Sequence, residues 1–553
     1  MNNKQKQNDS LFTKDDITDA YRKLKTYFYY DNSDLFMKRK IADFEYKNEN
    51  IEQIFDQLAK KLNTQSEDIG KYVITAQSNR NNLIDFYILP KSFENNILEN
   101  DCKNIIITNR YTSEVYEFSK FNFLIDIPIE LHIINVLWIV KLGYLLDSDY
   151  CYYSDKHTSY CYANKLEIDE DKKQILQGNK LFKLYSTQYQ KWRDDCIEAT
   201  EDLLNNHNKD AIIISLDIKR YYPSAKLDYE DVNKTLKQKC NNEKFEKYKF
   251  LTNILKNIRD EYIKQIKKEI VKDENKFDEI LPSETPIPIG MLSSNVIANW
   301  YLKDFDKQLI KQVKPIYYGR YVDDMLVVLE NTDECNKLDC DKTDCVKNRK
   351  LTTENIIEKY FYKDKKVPIL TPEAAPVNKN SKEYNINIHK CNLKIQQDKI
   401  KLFIFDANST KAMLLKFKDN LRKHSSEFRF LPDEDRVDED FIQNSYSIDY
   451  CDTINKLRSV DSYQLDKFKI STYLAKQLTL AKYAKDTKHY AKTKEELLYA
   501  FSGKLGLDLY CYWDKVLTYF LLNNDETAIY NFIKKISSCI DRISYKSATF
   551  QND

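Results

Sequence analysis

Glycine is nearly missing from this chain, with 7 in 553 residues, while Asn, Lys, Ile and Tyr are abundant. That skew has the look of a biased genome and carries little functional information. Charge of one sign is missing too: 87 basic residues face 86 acidic ones, a formal net charge of +1, although 31% of the chain is charged. Proteins that hold long duplexes carry a basic excess. Contacts to nucleic acid would therefore be local, or the bound strand short. A disulfide framework is absent, because the 12 cysteines are scattered without pairing. The stretch Met1–Gln7 has no apolar signal core, so reduced thiols and a cytoplasmic location are expected. Long hydrophobic runs are lacking as well. Phe121–Leu146 is interrupted by Asp126, Glu130, His132 and Lys141, and its longest clean run lies within Ile133–Val140. That is too short to span a bilayer, and no membrane partner is expected. No strict repeat period is present.

What remains is a length that accommodates about two to four domains with ample core. Thr13 precedes two acids and caps a helix beginning at Asp15, followed by the cluster Tyr27, Tyr29 and Tyr30 and a segment Leu35–Glu45. Ile51–Leu62 has helical rhythm, with Ile51, Ile54, Phe55, Leu58 and Leu62 on one face. Phe86–Leu89 and Ile105–Thr108 are strand-like, and Leu131–Leu145 is a buried helix. Tyr229–Lys272 is mostly helical, 281–290 is a Pro/Gly loop, and Ser293–Leu309 is predicted as one helix. Leu393–Phe405 reads as two short strands around Gln396–Lys399. From about Ser409 onward helical patterns dominate, notably Tyr473–Ala484, Glu495–Leu507 and Tyr510–Asn523.

The chemistry is concentrated at Tyr317–Leu329. Tyr317–Val322 and Met325–Leu329 are β-branched and aromatic arms, and Asp323 and Asp324 fall at the tip between them. Adjacent carboxylates between apolar arms are costly to desolvate without a cation, and a divalent metal is the obvious one. A third carboxylate, Asp217, ends the apolar strand Ala211–Leu216. If the two strands are neighbours, the acids can hold two divalent ions about 4 Å apart for in-line phosphoryl transfer.

Three blocks stand in order: Asp217–Ser224, then Pro288–Asn295 leading into a helix, then Tyr321-Val322-Asp323-Asp324. Together they resemble the palm of reverse transcriptases. The resemblance implies that Asp217 and Asp323 are metal ligands for two Mg²⁺ ions and that Asp324 is the secondary catalytic acid. It implies that the Ile218 carbonyl serves the triphosphate-side metal. Tyr222 would lie under the incoming sugar, where an aromatic ring excludes a 2′-hydroxyl and favours dNTPs. Gly290, lacking a Cβ, would permit close approach of backbone to nucleic acid or nucleotide. Lys165 stands where many relatives carry Arg and would offer a point charge to the triphosphate, with Lys180, Lys183, Lys191 and Arg193 as alternatives.

Lys23–Glu45, Ser159–Asn164, Gly178–Trp192 and Ser425–Pro432 narrow the resemblance to prokaryotic defence-associated reverse transcriptases of the abortive-infection type. That family implies antiphage function, homo-oligomers in some members, and in some an untemplated DNA synthesis primed from a protein tyrosine, with the product attached. The near-zero net charge suits an attached product. The alternative is a templated enzyme copying a dedicated non-coding RNA. The expected fold is α+β: a right-hand polymerase with an N-terminal extension and fingers over 1–180, a palm over 181–410 and an α-helical scaffold replacing the thumb over 411–553. The C-terminal helices show no Arg-x4–6-His ribonuclease-like pattern. Cys335, Cys340 and Cys345, with His389 and Cys391, lack a Cys-x2-Cys pair and are expected to be free thiols.

Overall fold

The computed structural model describes residues 10–31, 34–74, 82–91, 93, 115–118, 120–147, 160–169, 171–270, 281–331, 352–362, 368–373, 383–387, 393–396, 399–407, 414, 446–450, 460–483 and 487–545. The Ile105–Thr108 strand, the Cys335–Cys345 cluster with His389 and Cys391, and the Ser425–Pro432 block lie outside them. The chain is mixed α+β and divides into two compact units. The first comprises 1–31, 36–87 and 123–416, and the second 32–35, 88–122 and 417–553.

In the first unit, α1 (Lys14–Tyr30) begins where expected: Thr13 and Asp16 satisfy each other's backbone amides in a capping box. It packs on helix Ile51–Leu62, whose Ile54, Phe55, Leu58 and Leu62 are buried while Ile51 is half-buried, and on helix Ile129–Trp138. From Ile129 the helix continues to Asp147 through a π-helical stretch at Ile139–Gly143. These 19 residues, of mean hydropathy 1.6, are long and apolar enough to cross a membrane, further than the clean run Ile133–Val140 suggests. However, 83% of that apolar window is buried within the protein. Glu130 and His132 are polar interruptions to the eye, yet both are fully buried on this helix.

The centre of the unit is a four-stranded antiparallel sheet in the order Lys401–Phe405, Ala211–Asp217, Asp324–Glu330, Tyr317–Tyr321. Ile212, Ile213, Ile214 and Leu216 are buried, as are Met325, Val327 and Val328 beside them. Helix Tyr185–Asn205 covers one face through Trp192, Cys196, Ala199 and Leu203.

One expectation is corrected. Ser293–Leu309 is two helices, Leu292–Tyr301 and Lys303–Val313, hinged at Leu302 with φ −91° and ψ 1°. The buried face of Ile297, Phe305 and Leu309 continues across the hinge, which is why spacing alone gave a single element. At the hinge the Asn299 carbonyl accepts from both the Leu302 amide and the Arg320 guanidinium.

The second unit contains a helical C-terminal region, Lys467–Tyr483, Thr487–Ala500, Gly503–Asp508, Trp513–Leu522 and Glu526–Ile540. Leu474, Leu497, Phe501, Val516, Phe520 and Phe532 form its core. It is not purely helical. Tyr446–Tyr450 pairs antiparallel with Val460–Leu465, and Ile543–Tyr545 pairs parallel with Tyr116–Phe118, a segment more than four hundred residues earlier. Pairing at that separation leaves no local trace in sequence.

Candidate active site

The sheet brings the three acids together. Asp217, last residue of its strand, is registered opposite Asp324, and the Ile218 amide donates to the Asp323 carbonyl at 3.3 Å. Tyr321 pairs with Asp324, so the turn is Val322–Asp323, one residue earlier than the expected Asp323–Asp324 tip, and Asp324 begins the second strand. Val322 has φ 60°. Left-handed backbone at a β-branched residue is an outlier and costs on the order of 1–3 kcal/mol.

A buried network holds that turn. Arg320 donates from Nη1 to the Val322 carbonyl at 2.8 Å, and from Nε and Nη2 to Asp306 at 2.9 and 2.7 Å. Tyr318 donates its hydroxyl to Asp306 Oδ1 at 2.6 Å. Both charged partners are fully buried. Burial works against the guanidinium charge, but the Asp306 carboxylate overcomes it and raises the Arg320 pKa well above its usual value. Asp306 is delivered by the helix beyond the Leu302 hinge, so the corrected break positions the network. Arg320 was within the motif quoted from sequence, and a cation in a buried strand signals a hidden counter-charge. Its partner could not be read without the tertiary fold.

The acids repel one another. Burial, then Asp323, then Asp217 push the Asp324 carboxyl up to about 7, with Lys399 opposing. Lys399 forms a 2.9 Å ion pair with Asp217 Oδ1. Partial burial disfavours its charge, yet hydrogen bonding to Asp217 and the field of all three acids raise its pKa. Sequence reading passed over Lys399 because it is 182 residues from its partner. Such a site is short of positive charge, which suits a divalent cation. Among the described residues no three His, Cys, Asp or Glu side chains close into a cage by themselves. Magnesium does not require one: it usually takes one or two carboxylates and completes its shell with water and substrate phosphates.

Tyr222 sits on the short helix Tyr221–Ser224 beside this cluster, half-buried, its phenol pKa raised by burial and by Asp323. Its hydroxyl donates to Asn295 Oδ1 at 3.3 Å. Ile218 is buried and bridged to Ile395. Gly290 has φ 103°, and a Cβ there would meet Ile125 at 3.4 Å, so its close approach is to the strand Phe121–Asp126. Lys165 is buried and forms a 3.1 Å ion pair with Asp147, which also accepts from the Leu166 amide. Of its alternatives, Lys191 pairs with Asp195 and Arg193 with Asp194. The tyrosine cluster is split: Tyr29 and Tyr30 are 72% and 50% exposed, whereas Tyr27 reaches the Asn295 amide.

Residues 166–359 match the reverse transcriptase (RNA-dependent DNA polymerase) domain family. The match includes Asp217, Tyr222, Gly290, Arg320, Asp323 and Asp324, while Tyr27 and Lys399 fall outside it. No curated protein matches the chain.

Proposed function

We propose, from the reverse transcriptase domain at 166–359, that this protein polymerises dNTPs with Mg²⁺ at Asp217, Asp323 and Asp324, and that it acts in antiphage defence without a template, primed from one of its own tyrosines. The observation that carries the polymerase reading is the registration of Asp217 against Asp324 with Asp323 in the adjoining turn. Asp217, Asp323 and the Ile218 carbonyl would hold the ions. When bound, the metal supplies a lowered pKa for the attacking hydroxyl and neutralises charge on the triphosphate. Lys399 offsets the negative charge of Asp217 through their ion pair and must leave it when a metal binds. Arg320 fixes the Val322 carbonyl, and with it the direction in which Asp323 projects. Tyr222 presents its ring to the sugar side. In this reading 1–180 form extension and fingers, 181–410 the palm, and 411–553 a scaffold in the thumb position.

The untemplated, protein-primed part rests on the near-zero net charge and on the resemblance of the outer blocks. Purified protein with dNTPs and Mg²⁺ should yield DNA that stays protein-linked after denaturation, and Asp323→Ala should abolish it. A persistent product from Asp323→Ala rejects the metal assignment. The family match to an RNA-dependent DNA polymerase favours the second reading, a templated enzyme copying a dedicated RNA. Sequencing the product separates them: a defined product complementary to co-purifying RNA supports the second, a random or single-base product the first.

A further inference from the structure

Helix α1 lies outside the matched domain, and its C-terminal end is rich in tyrosine. Tyr27 is different from its neighbours. Asn295 donates from Nδ2 to the Tyr27 hydroxyl at 3.4 Å, while its Oδ1 accepts from Tyr222 at 3.3 Å. The three residues therefore make a directed chain, Tyr222 to Asn295 to Tyr27. Each phenol fixes one end of the amide. Tyr27 is half-buried, and its phenol pKa is raised by burial and by Asp31, with smaller contributions from Tyr222 and Tyr321. It thus lies within the electrostatic reach of both the sugar-side ring and the catalytic hairpin.

For such a chain to set the position of Tyr222, its far end must be rigid. Tyr27 is in the last turn of α1, where helices fray, but this turn is clamped. Lys23, one turn earlier, is buried and donates to the carbonyls of Leu176, Gly178 and Lys180. The Tyr27 ring packs edge-on against Phe182 at 5.4 Å between centroids, and against Phe28 at 5.1 Å. Phe182 in turn is bridged to Leu166. By contrast, Tyr222 stands on a four-residue helix preceded by Arg220 in the left-handed region, with only Tyr221 as a ring neighbour on its own element. The amide chain ties the less anchored ring to the better anchored one.

Building on the proposed function, we infer that Tyr27 is a positioning residue for sugar discrimination: through Asn295 it holds the Tyr222 ring where a 2′-hydroxyl would have to pass. The ring itself supplies the steric exclusion, and α1 supplies its placement. Both bonds are long, so the effect is that of one weak neutral hydrogen bond, a loss of about 2–5-fold in the preference for dNTP over rNTP.

The test measures kcat/KM for a dNTP and its matching rNTP with the full chain and Mg²⁺, on the parent, Tyr27→Phe, Tyr222→Phe, the double variant, and Tyr46→Phe as an exposed control. Tyr27→Phe should lower the dNTP/rNTP ratio about 2–5-fold while thermal midpoint and dNTP turnover change little. The double variant should lose no more selectivity than Tyr222→Phe, since both break one chain. Tyr46→Phe should match the parent. An unchanged ratio in Tyr27→Phe, an additive double variant, or complete loss of incorporation in Tyr27→Phe each overturns the inference. A parent that incorporates neither nucleotide overturns the polymerase reading together with it, whereas a discriminating parent with an indifferent Tyr27→Phe overturns the inference alone.

Discussion

The Asp306–Arg320 pair offers the sharpest separation of stability from catalytic geometry. Asp306→Asn leaves a fully buried guanidinium without its counter-charge, and Arg320→Met leaves a buried carboxylate that keeps the Tyr318 hydroxyl as a donor but has lost its cation. Removing one partner of a buried pair costs about 3–5 kcal/mol. For a unit of this size each kcal/mol moves the unfolding midpoint by roughly 2 °C, so each single variant should melt about 6–10 °C lower. The double variant Asp306→Leu/Arg320→Met removes both charges. Apolar replacement of a buried pair is often neutral or better, against about 1–3 kcal/mol for the hydroxyl of Tyr318 left without its acceptor. Its midpoint should return to within about 4 °C of the parent. Activity should not return with it. The Val322 carbonyl has lost the donor that holds a turn strained by about 1–3 kcal/mol, and relaxation there displaces Asp323. Displacement of a reacting group by about 1 Å can cost on the order of 100-fold. Differential scanning fluorimetry and Mg²⁺-dependent dNTP incorporation on the four proteins give both readouts. A double variant that is stable and fully active would show that the network only stabilises the fold and does not aim the acid.

Three further outcomes follow from the site. Asp324 has a folded pKa of about 7 against an ordinary value of 3.8, so between about pH 4 and 7 the folded metal-free protein holds a proton that the unfolded chain releases, and stability falls as pH rises through that window. Asp324→Asn should therefore melt increasingly above the parent across that window in the presence of a chelator, and a gap that does not grow with pH refutes the shift. Lys399→Gln removes the cation paired with Asp217 and should lower the Mg²⁺ concentration for half-maximal incorporation; an unchanged Mg²⁺ titration means that the lysine does not compete for that carboxylate. Gly290→Ala should destabilise by about 1–3 kcal/mol through its φ of 103°, with the 3.4 Å contact to Ile125 adding little, and a midpoint equal to the parent's would refute the strain.

What was legible in the sequence was local. The N-cap at Thr13, the stripe of Ile51–Leu62, the apolar strand ending in Asp217 and the hairpin carrying Asp323 each depend on residues within a few positions of one another, although the turn itself falls one residue before the expected Asp323–Asp324 tip. The proximity of Asp217 to Asp323 and Asp324 was conditional on strand neighbours, and the sheet satisfies that condition. Lys399, Asp306 and Tyr27 act through partners 182, 14 and 268 residues away, and no spacing rule reaches them. The Asp147 partner of Lys165 was hidden for the same reason: a lysine beside an aromatic block looks alike whether it meets solvent or a buried carboxylate. The Leu302 break escaped because a hinge that preserves the apolar face preserves the period.

These long-range partners share a physical task. Three clustered carboxylates lose stability to mutual repulsion, and a turn with left-handed valine adds strain to the same few residues. Neither cost is relieved within the motif. Arg320 and Asp306 compensate the strain from beneath the hairpin, and Lys399 compensates the charge from the residues that lead into the edge strand Lys401–Phe405. The two are not equivalent. Arg320 is fully buried and multiply bonded, so it cannot follow changes at the site. Lys399 is half-exposed on its side chain and makes one ion pair, so it can withdraw when a stronger cation arrives. The division predicts opposite signatures. Loss of the buried cation should impair catalysis at every Mg²⁺ concentration, whereas loss of the exposed one should shift the Mg²⁺ dependence and leave the saturated rate largely intact.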